Sequence, residues 1–579
     1  MKKLMLGNEA VARGLYEAGC CFVSSYPGTP STEITEEAAK YDEIYAEWAP
    51  NEKVAMESAF GASLAGKRSF CGQKHVGLNV AADPLFTIAY TGVNAGMVIA
   101  VADDAGMHSS QNEQDSRHYA VAAKLPMLEP SDSAESLAFT KLAYEISEEY
   151  DTAVLLKMCT RVAHSQSIVE TGERVEKAPV PYVKNAQKYV MMPAMAKARH
   201  FVVEERTAKL TALAETISIN RVEEGKDHSC GIITSSTSYL YVKEVLGDTY
   251  PVLKLGMINP LPVQKIKDFA ASVGKLVVVE ELDGVIEAHC RNIGLNPVGK
   301  ETFTNIDEFS QKTVARDLGV EMEGGKAYPE NAPARPPVLC AGCPHRGMFH
   351  ILNKLKVNVL GDIGCYTLGA LAPLGAIDTT ICMGASVSGI HGFVKSTPEN
   401  AKNTVAVIGD STFIHSGITG LVNIAYNESN CTVIILDNSI TGMTGHQQNP
   451  TTGINLKGDP AGKINLEELC RSIGIPDVKV VDPYKLAECE AAVKEALGND
   501  CPSVIISRRP CALLKYVKHP GPIVSDRDKC VGCKACMKIG CPAISIVDGK
   551  ASIDGTLCVG CGVCAQLCRF GALPERKEF

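Results

Sequence analysis

The last 50 residues carry eight of the chain's 23 cysteines, and their spacing is the narrowest constraint in the sequence. They read Cys530-x2-Cys533-x2-Cys536-x4-Cys541-Pro, then Cys558-x2-Cys561-x2-Cys564-x3-Cys568. Three closely spaced thiolates wrap one face of an iron–sulfur cubane, and the fourth cysteine of such a run reaches the neighbouring cluster. That logic assigns Cys530, Cys533, Cys536 and Cys568 to one [4Fe–4S] cluster. Cys558, Cys561, Cys564 and Cys541 form the second set. Zinc sites show instead two well-separated C-x2-C pairs. Two departures stand out: an extra residue before Cys541, and no proline after Cys568.

Thiols kept for metal imply a reducing compartment. The start, MKKLMLGNEA, has two lysines but neither an apolar core segment nor a cleavage site of small residues. No apolar run is long enough to span a bilayer. The expectation is a cytoplasmic protein with no membrane contact. A net charge of −9 argues against nucleic acid as a partner. With 45% hydrophobic and 21% charged residues, disorder and collagen-like structure are excluded.

A length of 579 residues suggests roughly four domains. Over the first 170 residues, short apolar runs such as CCFVSSYPG and MVIAVADD alternate with helical stretches such as VAMESAFGASLAG. That alternation predicts a doubly wound parallel sheet. Residues 170–200 read as an irregular excursion with several prolines. The βα pattern resumes near Gly231 and ends near Val320, and the Pro-rich Gly324–Val338 reads as a linker. A third α/β unit follows, then a Pro-containing link, KHPGPIV, into the cysteine-rich tail.

In that third unit Gly409-Asp410-Ser411 ends one apolar strand and Leu436-Asp437-Asn438 ends the next. Both would meet at the carboxyl edge of the sheet, where open α/β sheets bind ligands. Asp410 and Asn438 offer hard oxygen ligands for Mg²⁺ shared with a diphosphate. The plainer alternative is a strand end plus a turn asparagine. The pattern resembles the thiamine diphosphate motif, Gly-Asp-Gly followed one helix and one strand later by Asn. Here Ser411 replaces the last glycine, and by the resemblance the carbonyl of Ile440 is a third metal ligand.

Thr441-Gly442-Met443-Thr444-Gly445-His446-Gln447 and Met383-Gly384-Ala385-Ser386 resemble cofactor-adjacent segments of the 2-oxoacid:ferredoxin oxidoreductases. Three further motifs resemble the large (alpha) subunit of that family's indolepyruvate branch. They are Tyr26-Pro-Gly-Thr-Pro-Ser, the stretch from Asp103 through His108 to Arg117, and Arg508-Arg-Pro-Cys511. The resemblance implies a pyrimidine-binding thiamine diphosphate domain (1–175), a transketolase-C-terminal-like α/β domain (200–322), a diphosphate- and Mg²⁺-binding domain (335–518) and a two-cluster ferredoxin-like α+β domain (522–579). It also implies a beta subunit in an α2β2 assembly, external ferredoxin, and CoA as co-substrate with a 2-oxo acid. The activity expected is oxidative decarboxylation of an aryl pyruvate. The same chemistry on another oxo acid, or electron transfer without thiamine catalysis, are the alternatives.

The resemblance further distributes roles. A glutamate followed by glycines nine and fourteen residues later should hold the aminopyrimidine; Glu52, with Gly61 and Gly66, fits, whereas Glu57 meets Cys71 at the second position. Thr29 and Arg117 fall where the family contacts the oxo acid, and His75 is a further site candidate, as are His108, His446 and Gln447. Gly384, Gly409, Met443 and Thr444 would line the cofactor. Met443 stands where pyruvate-specific members have Asn, and an adaptable apolar side chain there suits a larger substrate. Finally, Cys340-x2-Cys343, Cys365 and Cys511 match the arrangement that holds a third [4Fe–4S] cluster beside the thiamine in pyruvate members. The remaining eleven cysteines are expected to be packing residues.

Overall fold

The computed structural model describes residues 1–322, 333 and 336–574. The Pro-rich Gly324–Val338 therefore falls largely outside the described residues. Two compact units result, Met1–Tyr328 and Pro329–Phe579.

The first unit holds a seven-stranded sheet. Its spatial order is Met257–Asn259, Met127–Leu128, Val154–Cys159, Met97–Asp103, Ser69–Lys74, Phe22–Ser25 and Tyr45–Trp48. All neighbours are parallel except Met257–Asn259, which runs antiparallel to Met127–Leu128. Every residue of Met97–Asp103 is buried, as expected of a strand covered by helices on both faces. A second sheet orders Leu276–Val279, Gly231–Ser235, Val252–Leu255 and the antiparallel edge Arg221–Glu223. The short Met257–Asn259 thus leaves the second α/β region to seal the edge of the first sheet. Such an edge strand protects backbone groups that would otherwise face open pairing.

The excursion expected over 170–200 is only partly irregular. A helix of 24 residues, Pro193–Thr216, begins inside it with proline at its first position. Proline suits that position because its missing N–H has no intrahelical partner there. The helix buries only Val203, Arg206, Leu210 and Ala214, a stripe too narrow to show as a strong apolar period.

The second unit has a five-stranded parallel sheet: Asn358–Leu360, Thr404–Gly409, Thr432–Asp437, Ser503–Arg508 and Asp477–Val481. The cysteine-rich tail adds the hairpin Ile544–Val547/Lys550–Ile553 and two 3-10 turns, Ala535–Ile539 and Ala565–Leu567. One apolar core joins Val405, Ile434 and Tyr366 of the sheet region with Ile523, Ile539, Val563 and Leu573 of the tail. The tail is therefore packed into the third α/β unit, not strung from it.

Of the eleven cysteines expected to be packing residues, Cys20, Cys71, Cys159, Cys290, Cys431, Cys470 and Cys489 are buried. Cys21, Cys230 and Cys501 are half-buried. Cys382 is exposed, in the loop before the helix Ala385–Ser396.

Candidate functional site

In the first unit the helix Glu52–Leu64 starts on Asn51, whose side chain accepts a hydrogen bond from the Val54 N–H at 2.9 Å. That cap places Glu52 in the first turn, where a carboxylate meets the positive end of the helix. Glu52 is buried and lies against Gly77: a Cβ on that glycine would stand 2.6 Å from Glu52 Oε1. Gly77 is thus the residue that admits the carboxylate. Glu57 is exposed and ion-paired with Lys53 on the outer face of the same helix. The two glutamates are separated by burial.

Thr29 and His75 sit near the carboxyl ends of adjacent strands, Phe22–Ser25 and Ser69–Lys74. The His75 Nε2 lies 3.3 Å from the Asn112 carbonyl, while its buried Nδ1 has no partner. Burial, reinforced by Lys74, pushes the imidazole down to about 4, so it is neutral at pH 7. The carbonyl then requires Nε2 to be the donor.

Lys74 was not anticipated. It is buried, donates to the Ser109 carbonyl at 2.7 Å and stands 3.9 Å from Asp104. Burial pulls its ammonium down to about 8 in spite of Asp104. The clue available in the sequence is its position, directly beside His75 where a buried strand turns into a helix. His108 is not part of this group; it is half-exposed and paired with Glu308 at 3.2 Å.

Arg117 requires a correction. Its guanidinium is fully buried and committed to Asp115 (2.6 Å), Glu280 (2.6 Å) and the carbonyls of Glu281 and Asp283. Although burial alone would raise it, the Asp115 carboxyl is held down to about 2 by Arg117. With its donors engaged, Arg117 is a clamp joining the two α/β regions of the first unit, not an open fork for a substrate carboxylate. Arg117→Ala leaves two carboxylates buried without their cation and should cost about 3–5 kcal/mol. Chemical denaturation of the variant measures that loss.

In the second unit Asp410 follows the strand Thr404–Gly409 and is buried; it accepts from Thr451 Oγ1 at 3.0 Å and Asn449 Nδ2 at 3.4 Å. Burial first, and then the nearby Asp437, push its carboxyl up to about 7. A buried carboxylate raised by a like charge fits a cation. Asn438 and Ile440 are also buried, and the Ile440 N–H lies 3.3 Å from Asn438 Oδ1. These are the oxygen donors that Mg²⁺ prefers. Ser411, the departure from the glycine of the motif, accepts a hydrogen bond from Thr441 Oγ1 at 2.8 Å and so joins the two loops. The chain then widens into a π-turn at Phe413–Gly417, a feature frequent at functional sites.

Gly384 contributes differently from expectation. Its N–H and that of Ser386 are both taken by the Asp362 carboxylate at 2.9 Å. Its positive φ of 88° and the 2.6 Å that would separate a Cβ from Ser416 Cβ show that it serves close packing. Asp362, Asn449 and Thr451 escaped the sequence reading because each acts through a contact distant from the motif.

The loop Thr441–Gln447 is closed by two backbone hydrogen bonds between its ends, at 2.9 and 3.1 Å. Thr444 Oγ1 donates to the Gln447 side chain within it, and Met443 at its tip is 54% exposed. Gly442 packs over Cys365, with 3.4 Å between a built Cβ and Sγ. His446 Nε2 stands 4.0 Å from Cys511 Sγ.

The tail sorts its eight cysteines into two groups. Cys530, Cys533, Cys536 and Cys568 line one small cavity, and Cys541, Cys558, Cys561 and Cys564 line another. This is the crossed pairing that places the fourth ligand of each run with the other run. Burial pushes the Cys561 thiol up to about 11, with Cys541 and Cys558 adding to the repulsion. Such a set of thiolates is stable only around a cation, which fits an iron cluster. Cys340, Cys343, Cys365 and Cys511 also converge. Burial and neighbouring thiols raise Cys343 to about 12 and Cys365 to about 11, with Cys340 acting on both and Cys511 on Cys365.

Parallel-sheet thiamine folds joined to a two-cluster tail define a thiamine-diphosphate-dependent, iron–sulfur 2-oxoacid oxidoreductase. Three family models agree. The thiamine-binding model of pyruvate flavodoxin/ferredoxin oxidoreductases matches residues 13–224. The C-terminal TPP-binding domain of thiamine pyrophosphate enzymes matches 362–507, and a 4Fe-4S dicluster domain matches 522–569. Indolepyruvate oxidoreductase subunit IorA of Archaeoglobus fulgidus is 41% identical over 616 residues, covering 100% of this chain and 98% of its own. The IorA subunit of Pyrococcus horikoshii is 40% identical over 100% and 97%. A solved 2-oxoglutarate:ferredoxin oxidoreductase from Magnetococcus marinus aligns at 18% identity over 55% of this chain and 65% of its own, with a TM-score of 0.46. The chain belongs to the IorA family of indolepyruvate oxidoreductase subunits. Among the described residues no helix is long and apolar enough to cross a membrane.

Proposed function

We propose that this chain, with a beta subunit, oxidatively decarboxylates aryl pyruvates, indolepyruvate foremost, with CoA. The products are an arylacetyl-CoA and CO2, and the two electrons released pass singly to two molecules of ferredoxin. The full-length similarity to IorA subunits is the observation that carries this reading. Bound thiamine diphosphate supplies a carbanion nucleophile and an electron sink for decarboxylation.

The chain's own residues do the rest. Glu52, buried and fixed by its cap, holds the proton at N1′ of the aminopyrimidine. Asp410, Asn438 and the Ile440 carbonyl would hold Mg²⁺, whose charge would help bind the diphosphate. Neutral His75 and the Lys74 ammonium offer a hydrogen-bonding imidazole and a positive charge for an oxo acid, with Thr29 as a further contact. Cys340, Cys343, Cys365 and Cys511 hold a third [4Fe–4S] cluster, and the tail clusters lead to the external carrier. The relatives' names, as subunits, support a partner chain; the assembly proposed is α2β2 and cytoplasmic.

Met443 is the proposed selector of the aryl group. Its exposed thioether lies at the tip of a loop pinned at both ends, so a larger apolar substrate can be met without moving the backbone. Met443→Asn is expected to lower kcat/KM for indolepyruvate about tenfold relative to pyruvate, the scale of a modest apolar contact. Viologen reduction across a panel of oxo acids measures the ratio. An unchanged aryl preference removes Met443 from the role. Iron and sulfide analysis tests the third cluster: twelve irons per chain are expected, as three four-iron clusters require, and eight would exclude it.

A further inference from the structure

A buried arginine joins the third cysteine group to the tail. Arg346 lies in the first turn of the helix His345–Leu355 and is 4% exposed. Its Nε donates to the Cys340 carbonyl at 3.0 Å and its Nη2 to the Leu339 carbonyl. Nη1 donates to the carbonyls of Ile539 (3.1 Å) and Gly540 (2.5 Å), the two residues that precede Cys541. One guanidinium therefore fastens the segment leading into Cys340-x2-Cys343 to the segment leading into Cys541.

The arginine also forms part of the wall of the cavity lined by Cys541, Cys558, Cys561 and Cys564, as do Gly342 and Cys343. Gly342 has a φ of 68°, and a Cβ on it would overlap Val559 inside the second cysteine run. The two cysteine sites therefore share a wall. No carboxylate pairs with Arg346 among the described residues; the ionisable groups that face it are Cys343, Cys541, Cys340 and Cys561, which are thiolates once they hold iron. A buried charge without a counter-ion is costly, so this one requires anionic sulfur around it.

The same contact falls on the irregularly spaced loop of the first run. In the run with the extra residue the 3-10 turn, Ala535–Ile539, is longer than its counterpart Ala565–Leu567 in the second run, and it ends on Gly540 at φ 65°. A Cβ on Gly540 would stand 3.0 Å from Pro373 and 3.2 Å from Arg346 Nη1. The longer loop turns two successive carbonyls onto the guanidinium.

We propose that Arg346 is the counter-ion and positioning residue of the inner tail cluster, the one held by Cys541, Cys558, Cys561 and Cys564. Each reduction adds one electron, and so one negative charge, to an already anionic cluster. A fixed cation in the cavity wall favours that added charge and raises the cluster's potential. The inner cluster becomes the better acceptor for electrons coming from the Cys340 side. The donor in that step rests on the three-cluster reading; the effect on the inner cluster does not.

The test uses the complete enzyme with its beta subunit, prepared anaerobically with Arg346→Gln, Arg346→Met and Arg346→Lys. Iron content and an EPR-monitored redox titration are read for each. With iron unchanged, the uncharged variants are expected to shift one cluster to lower potential, its reduced-to-oxidised ratio falling at least tenfold at fixed ambient potential. For a one-electron couple that is about 59 mV. Arg346→Lys should restore most of the shift. An uncharged variant with full iron and wild-type potentials overturns the proposal. Should both uncharged variants lose iron, Arg346→Lys decides. Retained iron with wild-type potentials supports the charge, and loss of iron there too shows that only the fork matters. Wild-type iron near eight would instead count against the third cluster and leave the shift of the inner tail cluster readable by itself.

Discussion

Glu52→Ala is expected to lower kcat by about 10³-fold, within the range assigned to a positioned proton-transfer group. The KM for the oxo acid should change little, because the proposed partner of the carboxylate is the aminopyrimidine and not the substrate. Reduction of the clusters by dithionite should be unaffected, which separates this loss from damage to the electron path. Glu57→Ala is the control on the same helix. Its exposed partner is Lys53, and an exposed helix pair contributes only about 0.3–0.5 kcal/mol. Steady-state viologen reduction with both variants checks the contrast. Equal losses would remove the distinction that burial draws between the two glutamates.

Asp410→Ala should weaken thiamine diphosphate binding in the presence of Mg²⁺ by at least about 100-fold. Even groups one shell removed from a metal commonly cost 10–100-fold, and Asp410 is proposed as a direct ligand. The accompanying effect on stability has the opposite sign. Asp410 is buried beside Asp437 and raised to about 7, so in the free protein its charge is a burden. Removing it should leave the thermal midpoint of the cofactor-free protein unchanged or higher. Calorimetric titration with the cofactor, alongside thermal melting without it, reads both numbers. A variant that melts early and still binds would make Asp410 a structural residue.

Local chemistry was legible in the sequence wherever the spacing itself encoded it. Three-cysteine turns can close on only one cubane face, so the sorting of Cys541 and Cys568 into opposite cavities followed from ligand geometry. Alternating apolar runs and helical stretches likewise imply parallel sheets, because a strand buried on both faces must be apolar throughout. What could not be read were partners brought together by the fold. Arg117 sits in a motif that implies a substrate contact, yet Glu280, 163 positions away, claims its guanidinium. The carbonyls that hold Arg346 belong to residues 193 and 194 positions on. Asp362 takes the amide expected of Gly384 from 22 residues upstream. The helix Pro193–Thr216 was hidden for a different reason: proline was read as a break where it opens a helix, and the buried stripe is narrow.

The central claim is that electrons leave an oxo acid at a Glu52-dependent cofactor and reach the tail clusters through this chain. It is tested most directly by EPR of the anaerobic enzyme with its beta subunit, frozen after mixing with indolepyruvate and CoA. Signals of reduced [4Fe–4S] clusters should appear in the wild type, be absent in Glu52→Ala, and appear in both with dithionite. No cluster reduction by indolepyruvate or any other 2-oxo acid, in an enzyme whose clusters dithionite reduces, would contradict it.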